Sequence, residues 1–328
     1  MDIITQGLLG GVLAQTAAKK NETKIATLIG VVAGLLADID IFIYSSSDPL
    51  LNIEFHRHFT HSIFFIPIGA AIASILLWPF LKKRINFKWL YIYSLLGYSL
   101  SGVLDAFTSY GTHLFWPVSD DKVALNIISI IDPVFSLILL LSLIYTLKIN
   151  RNKIARIGLL ISFTYLALGF MQLQRAETIT KTLISSRGHQ AVKHIVKPTI
   201  ANLLLWRSVY IYNNRIYVDA VRLGVFTNSK IYHGDSVEVF SKSIIPAGSV
   251  LDNDIKRFNI FSDGYVAIDS DNKNILGDIR YSMLPTSTKP LWGIVLDENN
   301  INKHADYKFF RDNSTEIRTS FINMLLMR

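Results

Sequence analysis

Read only for apolar and polar positions, the chain changes character near residue 173. Before it, apolar runs of membrane-crossing length recur at 25–44, 60–81, 89–107, 127–147 and 154–173. About 20 such residues in a helix cross a bilayer core. A shorter run, 3–18, is rich in Gly and Ala and reads as a short or re-entrant helix. After residue 173 the long runs stop. Alternating β-branched and aromatic stretches take over at 208–212, 215–218, 236–240 and 292–296. Turn residues separate them: Asn213-Asn214, His233-Gly234-Asp235, Pro246-Ala247-Gly248 and Ser262-Asp263-Gly264. Alternation bounded by turns predicts antiparallel strands, and residues 174–197 read as a helix leading into the sheet. The expected fold class is an α-helical polytopic membrane domain of five to six hydrophobic helices over 1–173. A mainly β, α+β soluble domain over 174–328 follows it.

Composition sharpens this picture. Half of the residues are apolar and 18% are charged, against about 25% charged in ordinary soluble domains. Disorder, collagen and coiled coil are excluded. The absence of cysteine removes disulfide scaffolds, thiolate zinc sites, iron–sulfur clusters and cysteine nucleophiles. The net charge of +8 is shared by the two halves, with 13 Lys/Arg against 10 Asp/Glu before residue 174 and 20 against 15 after it. No helix-turn-helix, finger or dense basic patch accompanies it, so nucleic acid is not an expected partner. The N-terminal positives cluster instead between apolar runs: Lys19, Lys20 and Lys24, then Lys82, Lys83, Arg84 and Lys88, then Lys148, Arg151, Lys153 and Arg156. Positive residues in short loops mark the cytoplasmic side. A multi-pass inner-membrane protein is expected, with His56, Ser119 and everything after Gln172 outside the cytoplasm. Asp2 stands where a signal peptide would carry positive charge, so the first run is not read as a leader.

Ionisable groups inside apolar runs are costly, and this chain places several at one membrane face. Asp38 and Asp40 lie near the outer end of the first long run and Asp105 near the outer end of the third. His56, His58 and His61 lead into the second. Carboxylates and imidazoles together suit a divalent metal: zinc, manganese or iron(II), or magnesium where oxygen dominates. Singly, each residue has a plainer reading, the Asp as a helix cap and the histidines as a solvated interfacial loop. Co-occurrence on one face favours a site. Asp132 before Pro133 reads as a turn device. His189, His194, His233 and His304 read as surface or core residues.

Met1-Asp2-Ile3-Ile4-Thr5-Gln6-Gly7, Asp38-Ile39-Asp40, His56-Arg57-His58-Phe59-Thr60-His61-Ser62 and the stretches 104–117 and 124–133 resemble the predicted membrane-bound metal-dependent hydrolases of the YdjM type. Leu205-Trp206-Arg207 and Phe261-Ser262-Asp263-Gly264-Tyr265 resemble the longer members. The resemblance matches its Asp-x-Asp pair to Asp38 and Asp40, its His-Arg-Gly-x-Thr-His-Ser motif to residues 56–62, and its later Asp to Asp105. His58 replaces the usual Gly, Gln6 and Ser101 stand where many members carry His, and His113 stands where relatives often carry Gln.

The expected metal ligands are therefore Asp38, Asp40, His56, His61 and Asp105, around a divalent zinc, manganese or magnesium ion. Arg57 is expected to hold a phosphate or carboxylate, and a carboxylate such as Asp105 to act as base if it is not a ligand. Ser62 or Thr60 is expected to cap the second long helix. The implied activity is metal-assisted hydrolysis at the outer membrane–water interface, on a lipid, phosphoester or other amphiphile, with membrane lipids as surroundings. The competing reading is a catalytically degenerate, metal-stabilised scaffold presenting the C-terminal domain to a partner. A transporter fits less well, because the acids lie near one face rather than the midplane and no repeat is visible.

Overall fold

The computed structural model describes residues 1–224, 228–241 and 245–328. The chain forms two compact units: Met1–Ile43, Phe55–Met171 and Ile200–Asn202 in the first, Tyr44–Glu54, Gln172–Thr199 and Leu203–Arg328 in the second.

The first unit is helical: α1 (Ile3–Thr16), α2 (Thr23–Leu36), the end of α3 (Leu50–Phe55), α4 (Ile66–Leu81), α5 (Phe87–Ser99), α6 (Ser101–Ala106), α7 (Pro133–Ile149) and most of α8 (Asn152–Ser186). Three stretches among the described residues are long and apolar enough to cross a membrane: Thr23–Phe42, Ile63–Leu81 and Asn152–Ser186. Ile3–Thr16 and Pro133–Ile149 are shorter apolar helices. Ile72, Ile75, Leu76 and Phe80 on α4, and Leu160, Phe163 and Phe170 on α8, are exposed. An apolar surface of this extent suits lipid rather than water.

Two expected spans differ in detail. The run 89–107 is not one helix, because the backbone leaves helical geometry at Leu100 (φ −105°, ψ 4°) and α6 starts anew. The run 127–147 starts six residues late. Pro133 lacks the N–H that an earlier turn would need and sits comfortably at a helix start. Asp132 caps that start, accepting from the Val134 and Phe135 amides at 3.1 and 3.0 Å.

What lets the short helices pack is glycine. A side chain on Gly10 of α1 would overlap the Gly30 carbonyl of α2, and one on Gly97 of α5 would overlap Gly30 as well. Three backbones thus meet where lipid supplies no hydrophobic drive and only close contact holds helices together. At one end, the basic loops touch. Lys19 Nζ lies 4.1 Å from the centre of the Trp89 ring, Arg156 donates to Thr16 O at 3.0 Å and Asn152 donates to Ala18 O at 2.5 Å.

The second unit carries two four-stranded antiparallel meanders. The first is β1 (Lys193–Pro198), β2 (Leu205–Tyr212), β3 (Arg215–Leu223) and β4 (Ser229–Glu238). Helix α9 (Val250–Phe261) follows. The second sheet is β5 (Val266–Ile268), β6 (Ile275–Asp278), β7 (Trp292–Val295) and β8 (Asp306–Phe309), and α10 (Thr315–Leu325) ends the chain. Asn213 and Asn214 both take left-handed backbone (φ 46° and 56°), the conformation that a two-residue hairpin needs, and they pair Tyr212 with Arg215. The expected turn at His233-Gly234-Asp235 is instead interior to β4, opposite an irregularity between Tyr217 and Asp219 of β3. Helix α8 runs on to Ser186, shorter than the 174–197 expected, before β1 begins.

Residues 44–54 fall inside the 1–173 boundary but cluster with the second unit. Arg257 explains this. Its guanidinium grips both Glu54 oxygens (2.7 and 2.8 Å) and reaches Asp48 and Asp254. The sheets share an apolar core of Val209, Ile216, Val218, Tyr265, Ala267 and Ile279. Arg207, 2% exposed, donates to the carbonyls of Ile279, Leu284, Pro285 and Ser287 at 2.7 to 3.1 Å. Burial pushes its pKa down to about 9, which leaves it cationic at neutral pH.

Arg207→Met should strand those four carbonyls. Each buried unsatisfied group costs about 1–3 kcal/mol, and partial rescue by relaxation leaves an expected loss of about 3 kcal/mol. Denaturant unfolding of the full chain with Trp78, Trp89, Trp116 and Trp292 replaced by Phe, followed by fluorescence of the adjacent buried Trp206, checks this. An unchanged midpoint contradicts the clamp.

Candidate metal centre

The site lies where three pieces of the first unit end. Helix α2 tightens into a 3-10 turn, Ala37–Phe42, which carries Asp38 and Asp40. With three residues per turn, side chains two apart leave on different faces, so the two acids serve different neighbours. A second 3-10 turn, Phe59–His61, presents Thr60 and His61. Helix α6 presents Asp105.

Asp40 is fully buried and saturated. Its Oδ2 accepts from the Arg57 amide (2.7 Å) and the Thr60 hydroxyl (2.8 Å), and lies 3.2 Å from His61 Nδ1. Its Oδ1 lies 3.1 Å from His56 Nδ1. These contacts lock the His61 ring and turn its Nε2 the other way. Nε2 sits 3.0 Å from Asp105 Oδ2 and 3.3 Å from Asp38 Oδ1, yet it makes no hydrogen bond of good geometry, and neither does Asp38 Oδ2. One ligand atom from each of Asp38, His61 and Asp105 lies within 4.8 Å of the other two. An orphaned imidazole nitrogen between two carboxylates fits a divalent cation of the zinc or manganese class. A carboxylate on the far ring nitrogen is the usual support of a metal-bound histidine.

The five expected ligands therefore converge, but unequally. Asp38, His61 and Asp105 face one another. Asp40 and His56 sit behind His61, and the His56 side chain is 25% exposed.

Arg57 is 3% exposed and turns inward. Its Nε lies 3.3 Å from Asp105 Oδ2, its Nη1 donates to Thr108 Oγ1 at 2.9 Å, and its guanidinium lies over the Tyr110 ring. The expected anion-holding fork thus meets a carboxylate of its own chain. The Met1 amino nitrogen is the partner of Asp105 Oδ1.

Thr60 does not cap the following helix. Nor does Ser62, which instead caps the short 3-10 turn Ile63–Phe65 before it, accepting from the Phe64 amide at 3.1 Å. Thr108 was not anticipated as a site residue; it lies just past the end of α6, and its hydroxyl donates back to Asp105 O at 2.7 Å. Gln6 and Ser101 meet each other, with Gln6 Nε2 donating to Ser101 O at 3.2 Å, so neither position supplies an imidazole. Two further groups have metal-like composition: His58, His113 and Asp120, and in the second unit Asp48, Asp254 and His304. Arg257 already neutralises the last.

Gly102 sets the fit between α6 and the histidine turn, because any side chain there would overlap the His61 carbonyl. Gly102→Ala must move Asp105 away from His61. Its divalent-metal affinity should fall by about 10–100-fold, the scale of lost support around a site, while Ser99→Ala nearby should leave it unchanged. Equilibrium metal titration of detergent-purified protein checks both.

Residues 1–176 match the family described as YdjM inner membrane protein. The uncharacterized protein YfhP of Bacillus subtilis (strain 168) is 33% identical over 125 residues, which are 38% of this chain and 37% of that protein. The match thus spans well under half of that relative's length. No solved structure matches the chain. With the family match covering more than half of its length, and the helices and buried His/Asp groups lying within the matched part, the chain belongs to the YdjM inner membrane protein family.

Proposed function

We propose that this membrane protein is a metal-dependent hydrolase whose centre is Asp38, His61 and Asp105, acting on an amphiphilic ester such as a lipid phosphoester. The observation that carries the reading is the His61 ring, fixed by Asp40 through Nδ1 and offering Nε2 to two carboxylates. When bound there, a divalent ion lowers the pKa of a coordinated water and polarises a substrate oxygen. The chain's own residues supply the rest. Asp40 holds the His61 tautomer. Arg57 and Thr108 position Asp105. His56 braces Asp40 through its Nδ1.

A second reading is favoured by Gln6 and Ser101, where the resemblance implies imidazoles: the Gln6 amide is taken up by the Ser101 carbonyl. In that reading the metal only braces a membrane scaffold that presents the second unit to a partner. Purified protein should hold one equivalent of divalent metal that His61→Ala removes, and should hydrolyse phosphoesters only when loaded. Metal without turnover selects the scaffold. No metal sinks both readings.

The basic loops meeting at one end of the first unit support an inner-membrane topology with that end in the cytoplasm and the site outside. Single cysteines placed in this cysteine-free chain test it. An impermeant thiol reagent added to cells with a permeabilised outer barrier should label position 119 and spare position 83. The reverse pattern overturns the topology.

A further inference from the structure

Residues 57–63 and 112–123 are stitched together beside the centre just described. The His113 amide donates to Arg57 O and the Ile63 amide to Leu114 O, both at 3.0 Å, and the Ser62 hydroxyl donates to Trp116 O. Thr112 and Val123 exchange both backbone hydrogen bonds, at 3.1 and 2.9 Å. That bridge closes residues 112–123 into a loop and returns Asp120 toward His113. The His58 and His113 rings lie 4.4 Å apart, with Trp116, Phe55 and Phe59 around His58.

His113 is 9% exposed, yet its Nδ1 makes no hydrogen bond among the described residues, and neither does His58 Nδ1. Buried polar nitrogens without partners are rare, and each costs free energy. Two of them side by side in an aromatic wall call for a common partner. One ligand atom from each of His58, His113 and Asp120 lies within 4.8 Å of the other two.

We infer that His58, His113 and Asp120 form a second divalent-cation site of zinc-class preference, sharing no residue with the Asp38–His61–Asp105 group. Two imidazoles and one carboxylate select a borderline ion over magnesium or calcium. Tetrahedral bonds of about 2.0–2.1 Å place ligands roughly 3.4 Å apart. Asp120, the exposed member, closes the remaining gap, and water takes the fourth position. The bound ion pins the 112–123 loop to residues 57–63.

Cobalt(II) is the probe, titrated into full-length, chelator-stripped protein in detergent and read by visible absorption and bound equivalents. Wild type should bind at this site with a tetrahedral spectrum. His113→Ala should lose that equivalent. Asp120→Ala, at an exposed position that cannot unfold the chain, should weaken it at least about tenfold. His61→Ala should leave it intact. Unchanged spectrum and affinity in both His113→Ala and Asp120→Ala overturn the inference. Loss of cobalt in those two variants, with none lost in His61→Ala, upholds it and removes the proposed hydrolytic centre instead.

Discussion

Three carboxylates gathered at one end of an apolar helix bundle set the terms for everything around them. Taking an ionised carboxylate out of water costs several kcal/mol unless it is paired, so Asp38, Asp40 and Asp105 must each find compensation. The local irregularities follow from that need. Arg57 takes a left-handed backbone (φ 63°), at a cost of about 1–2 kcal/mol for a side chain with a Cβ. In return its amide reaches Asp40 while its guanidinium reaches Asp105. The amide hydrogen bond to the Asp40 carboxylate alone contributes about 1.5–3 kcal/mol, enough to offset the strain, and the ion pair with Asp105 adds to it. The helix break at Leu100 and the 3-10 turn at Ala37–Phe42 aim Asp105 and Asp38 at the same imidazole.

Much of this was legible in the sequence, because membrane insertion writes itself in long apolar runs and β structure in short alternating ones. Residues 25–36, 66–81 and 154–173 are helical as their hydropathy predicts, and strands occupy 208–212, 215–218 and 292–295. The break at Leu100 was not legible. Gly102, two residues on, does not by itself end a helix, and its close approach to the His61 carbonyl is visible only in the fold. The turn assigned to His233-Gly234-Asp235 failed for a similar reason: a glycine in a polar triplet reads the same whether it bends a loop or makes room inside a strand.

The site was legible as a list and not as an arrangement. Composition and spacing brought Asp38, Asp40, Asp105, His56, His58 and His61 to one face, and the resemblance singled out all but His58. Only the fold separates the three that oppose one another from the two that stand behind. A two-residue spacing keeps both side chains on one face of a strand, while in a 3-10 turn it divides the acids between two neighbours, and hydropathy does not distinguish these cases. Arg57 shows the same limit. A basic residue in a polar motif suggests a grip on substrate, and its burial against Asp105 and Thr108 comes from contacts about 50 residues away in the chain.

The glycine crossing of α1, α2 and α5 governs how such a chain can diverge. Where Gly10, Gly30 and Gly97 touch backbone to backbone, there is no side chain to trim, and every replacement adds volume. The lipid-facing positions, Ile72, Ile75 and Leu160 among them, accept any apolar residue of similar bulk. Drift is thereby channelled to one side of each helix. Relatives can become nearly unrecognisable on their outer surfaces while the spacing of a few featureless residues, invisible to any count of chemical groups, keeps the same carboxylates in reach of the same ring.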